Sequence, residues 1–223
     1  MRKKSDSDKI NQHPDFKIGN RNSACLKGEK IMKLTNLTLT KRNKFLNNYI
    51  ASYENENGHK KDYEIISRNP NLTKESFGEI SRKNSDAVGI IMLNEKRDKI
   101  LLQKEFRMAC NEWVYNFPGG LRDGDESILE AAKRELREET GLEIIEYIGM
   151  LPAAYTAVGF CNESVATVIG IAKGEFSPST SQDEEIEAKW YTKDKVFDLV
   201  NSGAAMSLRT QSFLYMWSTG LFC

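Results

Sequence analysis

The chain has 223 residues and 39% hydrophobic content, enough to bury one full core with an appended piece and too little for a large multidomain protein. Its 32 basic and 32 acidic residues cancel, which removes any overall electrostatic case for a nucleic-acid or membrane partner. Cys25, Cys110, Cys161 and Cys223 lack metal-ligand spacing, and His13 and His59 sit in polar surroundings, which excludes a zinc site and a histidine-based triad.

Residues 1–33 carry nine Lys or Arg against four Asp or Glu without strand or helix periodicity, and read as a flexible basic extension. The start Met1-Arg-Lys-Lys has no apolar segment behind it and no apolar run approaches a membrane span, so the expectation is a cytoplasmic chain with free thiols. Residues 34–80 form an N-terminal β-hairpin subdomain, with extended stretches at Lys44–Tyr53 and Lys61–Ser67 joined through Asn57-Gly58, a pair suited to positive φ. Residues 81–223 make the main domain. Ala87–Leu93 is a buried apolar strand, and Lys99–Phe106 continues the sheet after the charged turn Glu95–Asp98. Phe117-Pro118-Gly119-Gly120 reads as a tight turn that lets the backbone approach a ligand.

A helix is expected over Ser127–Thr140, with Asp125 or Glu126 near its start, Gly141 as the C′ residue and Ile128, Leu129, Ala132 and Leu136 facing the core. Strands follow at Ile144–Leu151, Ser164–Ala172 and Ala188–Tyr191, then helices at Lys193–Asn201 and Ala205–Thr219. The result is an α/β fold, an α/β/α sandwich. Arg209, on the last helix, reads as a surface residue.

The informative segment is Gly120-Leu-Arg-Asp-Gly-Asp-Glu126 followed, seven residues on, by Arg134-Glu135-Leu136-Arg137-Glu138-Glu139-Thr140-Gly141-Leu142. Glu135, Glu138 and Glu139 stand at i, i+3 and i+4, so their carboxylates share one helix face. Two such carboxylates about 6 Å apart repel by roughly 3 kcal/mol at an effective dielectric near 20, more than helix propensity offsets. A hard divalent cation removes that cost, and Mg²⁺ typically takes a few carboxylates plus water and phosphate oxygens. A solvated charged face would instead place a basic residue one turn after each Glu; Glu130 and Arg134 fit that pattern, while Glu135 and Glu139 do not.

These residues resemble the Nudix box, Gly-x5-Glu-x7-Arg-Glu-apolar-x-Glu-Glu-x-Gly-apolar, at every position from Gly120 to Leu142. Chance agreement in a chain of this size is on the order of 10⁻⁵. The resemblance implies a Nudix sandwich with a mixed sheet and a metal-dependent hydrolase of a diphosphate linkage, using Mg²⁺ or Mn²⁺. It implies Glu135, Glu139 and the Gly119 carbonyl as metal ligands, with Glu138 on a second ion or a metal-bound water. Catalytic roles then fall to Glu138, to Arg134 as a brace against Glu126, and to Glu163 as general base. Glu163 lies in Tyr155-Thr-Ala-Val-Gly159-Phe-Cys-Asn-Glu163, which resembles the loop that supplies catalytic glutamate in ADP-ribose pyrophosphatases. The other candidate base lies within Asp183-Glu-Glu185, where an ordinary charged turn is the simpler reading.

Gln103-Lys-Glu-Phe-Arg107 and Trp113-Val-Tyr-Asn-Phe-Pro-Gly-Gly120 look like the branch that hydrolyses ADP-ribose and nucleoside diphosphate sugars. That likeness covers about residues 40–220 and implies a homodimer acting on a small nucleotide. Arg107, Asn116, Val158 and Gly120 are then the substrate contacts. Phe45, Tyr49, Tyr53 and Tyr63 are available to stack on a base, although strand aromatics more often pack. The chain departs from the branch where Gly119 replaces Ala, Asn116 replaces Glu and Val158 replaces Pro. ADP-ribose is the first expectation for substrate; another nucleotide sugar, a dinucleotide or an oxidised nucleoside triphosphate are the alternatives. An inactive nucleotide sensor fits less well, because all the box acids are present and no DNA-recognition module follows Tyr191.

Overall fold

The computed structural model describes residues 32–78, 85–180 and 185–221. Three strands, β1 (Met32–Lys41), β2 (Asn47–Asn55) and β3 (Lys60–Ser67), form an antiparallel sheet in that order. β2 and β3 are the expected hairpin, with Gly58 at φ 76° in the turn. β1 is an addition to it. Its register on β2 shifts between Leu34 and Asn36 and again between Leu39 and Lys41, so Leu34, Leu37 and Leu39 are half-buried without keeping a period of two. The bulge hides the strand from any search for alternation.

The second sheet has seven strands: β4 (Ala87–Leu93), β5 (Lys99–Arg107), β6 (Glu112–Asn116), β7 (Gly119–Leu121), β8 (Glu143–Tyr155), β9 (Ser164–Lys173) and β10 (Ile186–Thr192). Its path is β10-β5-β4-β9-β8, with β6 on β5 and β7 on β4; β4 and β9 run parallel, the remaining pairs antiparallel. Helix α1 (Ile128–Thr140) packs Ile128, Ala131, Ala132 and Leu136 against Val88, Ile90, Met92 and Val168 on one face. On the other face Val196 of α2 (Lys193–Asn201) and Leu214 of α3 (Leu208–Thr219) cover Ile91, Ile100, Leu102 and Phe117. β4 is therefore buried on both sides, which is why it reads as an unbroken apolar run rather than an alternating one. The architecture is the expected α/β/α sandwich with a mixed sheet.

Three local expectations change. Residues 119–121 are not part of a tight turn but a short strand, with Gly119 opposite Gly89 of β4. The cap of α1 is Ser127 rather than an acid: its hydroxyl accepts from Glu130 N–H, and the Glu130 carboxylate accepts from Ser127 N–H. Glu130 is thereby committed to its own backbone and does not pair with Arg134 one turn on. Finally, α3 starts at Leu208, not Ala205, because Tyr115 N–H holds the Ala205 carbonyl and Tyr115 bridges Met206, keeping that stretch extended until the Ser207 cap.

The two sheets are joined next to the functional residues. Ile66 of β3 donates to Phe160 O and accepts from Asn162 N–H, and Tyr63 Oη donates to Gly159 O. The segment between β8 and β9 is thus stitched along the last strand of the small sheet.

Candidate active site

The sequence-marked acids converge on the edge of β7. Helix α1 aims Glu139, 7% exposed, at Gly119, whose N–H donates to Glu139 Oε2 at 3.0 Å. One turn earlier Glu135 lies against Gly120: a Cβ there would stand 2.5 Å from Glu135 Cδ, so only glycine leaves room for the carboxylate in this position. Arg134 spans the assembly. It pairs with both Glu126 oxygens at 3.0 Å, donates to Leu121 O at 3.0 Å, and reaches Glu135 at 2.9 Å and Glu138 at 3.2 Å through Nη1. Arg122 adds bonds to Ser85 O and Glu126 O. The loop ahead of the helix is thereby fixed to the helix that carries the acids.

The hydrogen bonds from Arg134 hold the Glu126 carboxyl below its ordinary range, and Glu126 in turn raises the Arg134 guanidinium above its own. An unfolded glutamate titrates at about 4.3. With the folded value lower, the pair stabilises fully above that pH and its contribution is lost as pH falls through the folded value. Glu126→Gln is expected to flatten the acid side of a melting-temperature profile, the wild-type protein losing stability faster below about pH 4. Parallel profiles for the two proteins would remove this role.

Across from the box a cleft of about 670 Å³ opens, lined by Gly119, Gly120 and Glu139 on one wall and by Arg68, Arg107, Asn116, Glu163 and Arg209 around it. This is the size of a small-molecule site. Arg107 Nε pairs with Glu105 at 3.0 Å, and Glu105 also accepts from Asn116 Nδ2 at 3.2 Å. The Asn116 carbonyl oxygen accepts from Ser207 Oγ at 3.1 Å and Thr210 Oγ1 at 2.6 Å. Asn116 is 8% exposed, and these bonds tie β6 to β5 and to the first turn of α3. Glu163 pairs with Arg68 from the end of β3, takes Thr156 Oγ1 at 3.2 Å, and donates its backbone N–H to Cys161 Sγ. Burial pushes the Cys161 thiol up, leaving it protonated at neutral pH.

Not every sequence candidate joins this cluster. Val158 is 83% exposed and lies outside the cleft lining, as do Phe45, Tyr49, Tyr53 and Tyr63. Tyr49 is buried and donates to Asn69 O, a packing role. Asp183 and Glu184 fall outside the described residues; Glu185, exposed, accepts from Phe106 N–H through its backbone. Two further cleft residues are absent from the sequence-based site, one unnamed there and one read as surface. Arg68 is paired to a partner 95 positions away, which no local pattern announces. Arg209, expected on a helix surface, is solvent-accessible but directs its guanidinium into the cleft, where a Cβ on Gly89 would stand 3.4 Å from Nη1.

The donors at the Gly119–Gly120 edge are carboxylate and backbone oxygens, without thiolate or imidazole, and this suits a hard cation rather than zinc. Among the described residues no three acidic, histidine or cysteine side chains already form a cage. Glu138, the third box acid, is turned to Arg134. A site with two carboxylates and a glycine-made recess fits an ion that keeps water and substrate phosphate in its shell.

Comparisons with known proteins give the family. The family profile described as NUDIX domain matches residues 83–209, more than half of the chain. The ADP-ribose pyrophosphatase of Saccharomyces cerevisiae is 33% identical over 120 residues, which cover 52% of this chain and 48% of that protein. The ADP-ribose pyrophosphatase of Bacillus subtilis is 27% identical over 130 residues, covering 57% of this chain and 69% of that protein. The chain therefore spans about half the length of the yeast relative, at 48%. A solved structure described as an ADP compounds hydrolase superposes with a TM-score of 0.59 over 86% of this chain and 96% of its own, at 16% identity, a likeness of fold. With the matched span covering more than half of the chain and enclosing Gly120–Leu142, this chain belongs to the Nudix family.

Proposed function

We propose that the chain hydrolyses the diphosphate linkage of a nucleoside diphosphate derivative, ADP-ribose first among them, to give AMP and ribose 5-phosphate. One observation carries the reading: Glu139 lines a cleft that Arg107 and the Arg68–Glu163 pair also line, and Glu135 stands beside it against Gly120. Arginine forks match the paired oxygens of phosphates, and the carboxylates at the Gly119–Gly120 edge match a cation. The names of the yeast and Bacillus subtilis relatives favour ADP-ribose within that class.

Glu135, Glu139 and the Gly119 carbonyl would hold Mg²⁺ or Mn²⁺, with the half-exposed Glu138 free to swing from Arg134. When bound, such an ion neutralises phosphate oxygens and lowers the pKa of water. Arg107, oriented by Glu105, holds the diphosphate. Glu163, oriented by Arg68 and Thr156, accepts a proton from the attacking water. A water oxygen bonds to one phosphorus as the anhydride P–O bond breaks, and the anhydride oxygen leaves with the other phosphate.

Incubating the protein with ADP-ribose, nucleotide sugars, dinucleotides and nucleoside triphosphates, with Mg²⁺, Mn²⁺ or EDTA, and weighing the products tests the reading. AMP from ADP-ribose, abolished by EDTA, is the expected result; pyrophosphate released from a triphosphate as the dominant product would reject it. Glu163→Gln is expected to remove the acidic limb of the pH-rate profile, and an unchanged limb would transfer the base role elsewhere.

A homodimer is part of the same proposal. β8 lies at the sheet edge and exposes Ile145, Tyr147, Ile148, Met150 and Leu151, an apolar run that an isolated edge strand would not keep bare. Light scattering on the purified chain decides it, a monomer at micromolar concentration being the contrary outcome.

A further inference from the structure

Arg209 occupies an unusual position. Helix α3 runs from Leu208 to Thr219 with no acidic residue in its first turn, and Arg209 puts a cation where the helix dipole is itself positive. The other two helices follow the ordinary rule, with Glu130 and Asp194 in their first turns. The first turn of α3 is also held rigidly: Ser207 caps Thr210 N–H, and both hydroxyls donate to Asn116. From this fixed base the Arg209 guanidinium reaches Gly89 of β4, where the β4–β7 pairing meets Gly119.

Among the described residues Arg209 has no hydrogen-bond or ion-pair partner, whereas the cleft's other two arginines are paired, Arg68 with Glu163 and Arg107 with Glu105. It feels Glu163 and Arg107 electrostatically, and burial lowers its affinity for a proton more than Glu163 restores it. A guanidinium stays charged regardless, and in the cleft it is open to an anion.

We propose that Arg209 is a substrate-binding residue that donates its guanidinium fork to a phosphate oxygen of the bound diphosphate, from the α3 side of the cleft and opposite the acidic box. This rests on the diphosphate-hydrolase reading above. Arg107 and Arg209 then flank the diphosphate, and Asn116 serves the site indirectly by fixing the turn from which Arg209 reaches.

Calorimetric binding of two probes, ADP-ribose and inorganic pyrophosphate, to the wild-type chain, Arg209→Gln and Arg209→Lys tests this in EDTA, where turnover is suppressed. Arg209→Gln is expected to weaken both probes at least tenfold and to reduce the slope of log affinity against log salt, and Arg209→Lys to recover part of the affinity and the full slope. The melting temperature should hold or rise in both variants, since an unpaired charge leaves the cleft or is replaced by a more flexible one. Equal pyrophosphate affinity in wild type and Arg209→Gln overturns the proposal, as does a wild-type chain that binds neither probe. A wild-type chain that binds pyrophosphate in an Arg209-dependent way but does not hydrolyse ADP-ribose sustains the Arg209 role and rejects only the choice of nucleoside derivative.

Discussion

Glu139→Gln is expected to cut turnover by more than about 100-fold, the upper range for residues that merely support a metal ligand, while leaving the fold intact. The separation follows from what Glu139 does in each capacity. Structurally it accepts the Gly119 N–H at 3.0 Å, and a glutamine keeps an oxygen for that bond. Electrostatically it is a 7% exposed carboxylate one helical turn from Glu135, so neutralising it relieves repulsion between them. The melting temperature should therefore hold or rise even as activity collapses. Turnover and melting, measured together over a range of Mg²⁺ concentrations, check both halves. Near-normal turnover at every concentration would end the ligand assignment, and loss of activity accompanied by a lower melting temperature would point to a structural acid instead.

Gly119→Ala carries the largest expected effect on stability. Gly119 has φ 149°, a conformation nearly closed to L side chains, and its Cβ would be driven into the Val88 carbonyl oxygen and to 3.0 Å from Gly89 Cα. Those obstacles are backbone atoms in the middle of the sheet and cannot rotate away. Strain of this kind costs about 1–3 kcal/mol before the clash is added, against a net stability of about 5–15 kcal/mol for a whole domain. A loss of about 3 kcal/mol lowers the melting temperature of a chain this size by about 6–12 °C. Gly149→Ala in β8, where an added Cβ meets nothing within 4 Å, is the matched control and should melt like the wild type. An unaffected Gly119→Ala would mean that β7 can reposition.

The sequence made the helical half of the molecule legible because helices declare themselves locally. The α2 boundaries at Lys193 and Asn201 and the end of α1 at Gly141 follow from caps and periodicity within a few residues. The box acids were legible for the same reason: i, i+3 and i+4 on one helix define a face before any tertiary contact exists. β1 was not, since its bulges destroy alternation and its leucines are only half-buried. Glu130 was assigned to a surface ion pair because spacing alone cannot tell a capping carboxylate from one that reaches forward along the helix. The Arg68–Glu163 pair depends on two strands meeting at a distance no motif encodes. Arg209 left one readable trace, a cation in the first turn of a helix that lacks any acid there.

The stitching of β3 to the segment 156–163 changes what counts as the smallest working piece of this molecule. The family profile begins at residue 83, and a designer trimming the chain to that limit would keep the box, the cleft wall and Arg209. Such a fragment would lose Ile66 and Tyr63, whose backbone and hydroxyl contacts shape the Glu163 loop, and Arg68, which holds the carboxylate itself. Any minimal or grafted version must therefore carry the small sheet with it, for that sheet is the splint of a loop it does not belong to.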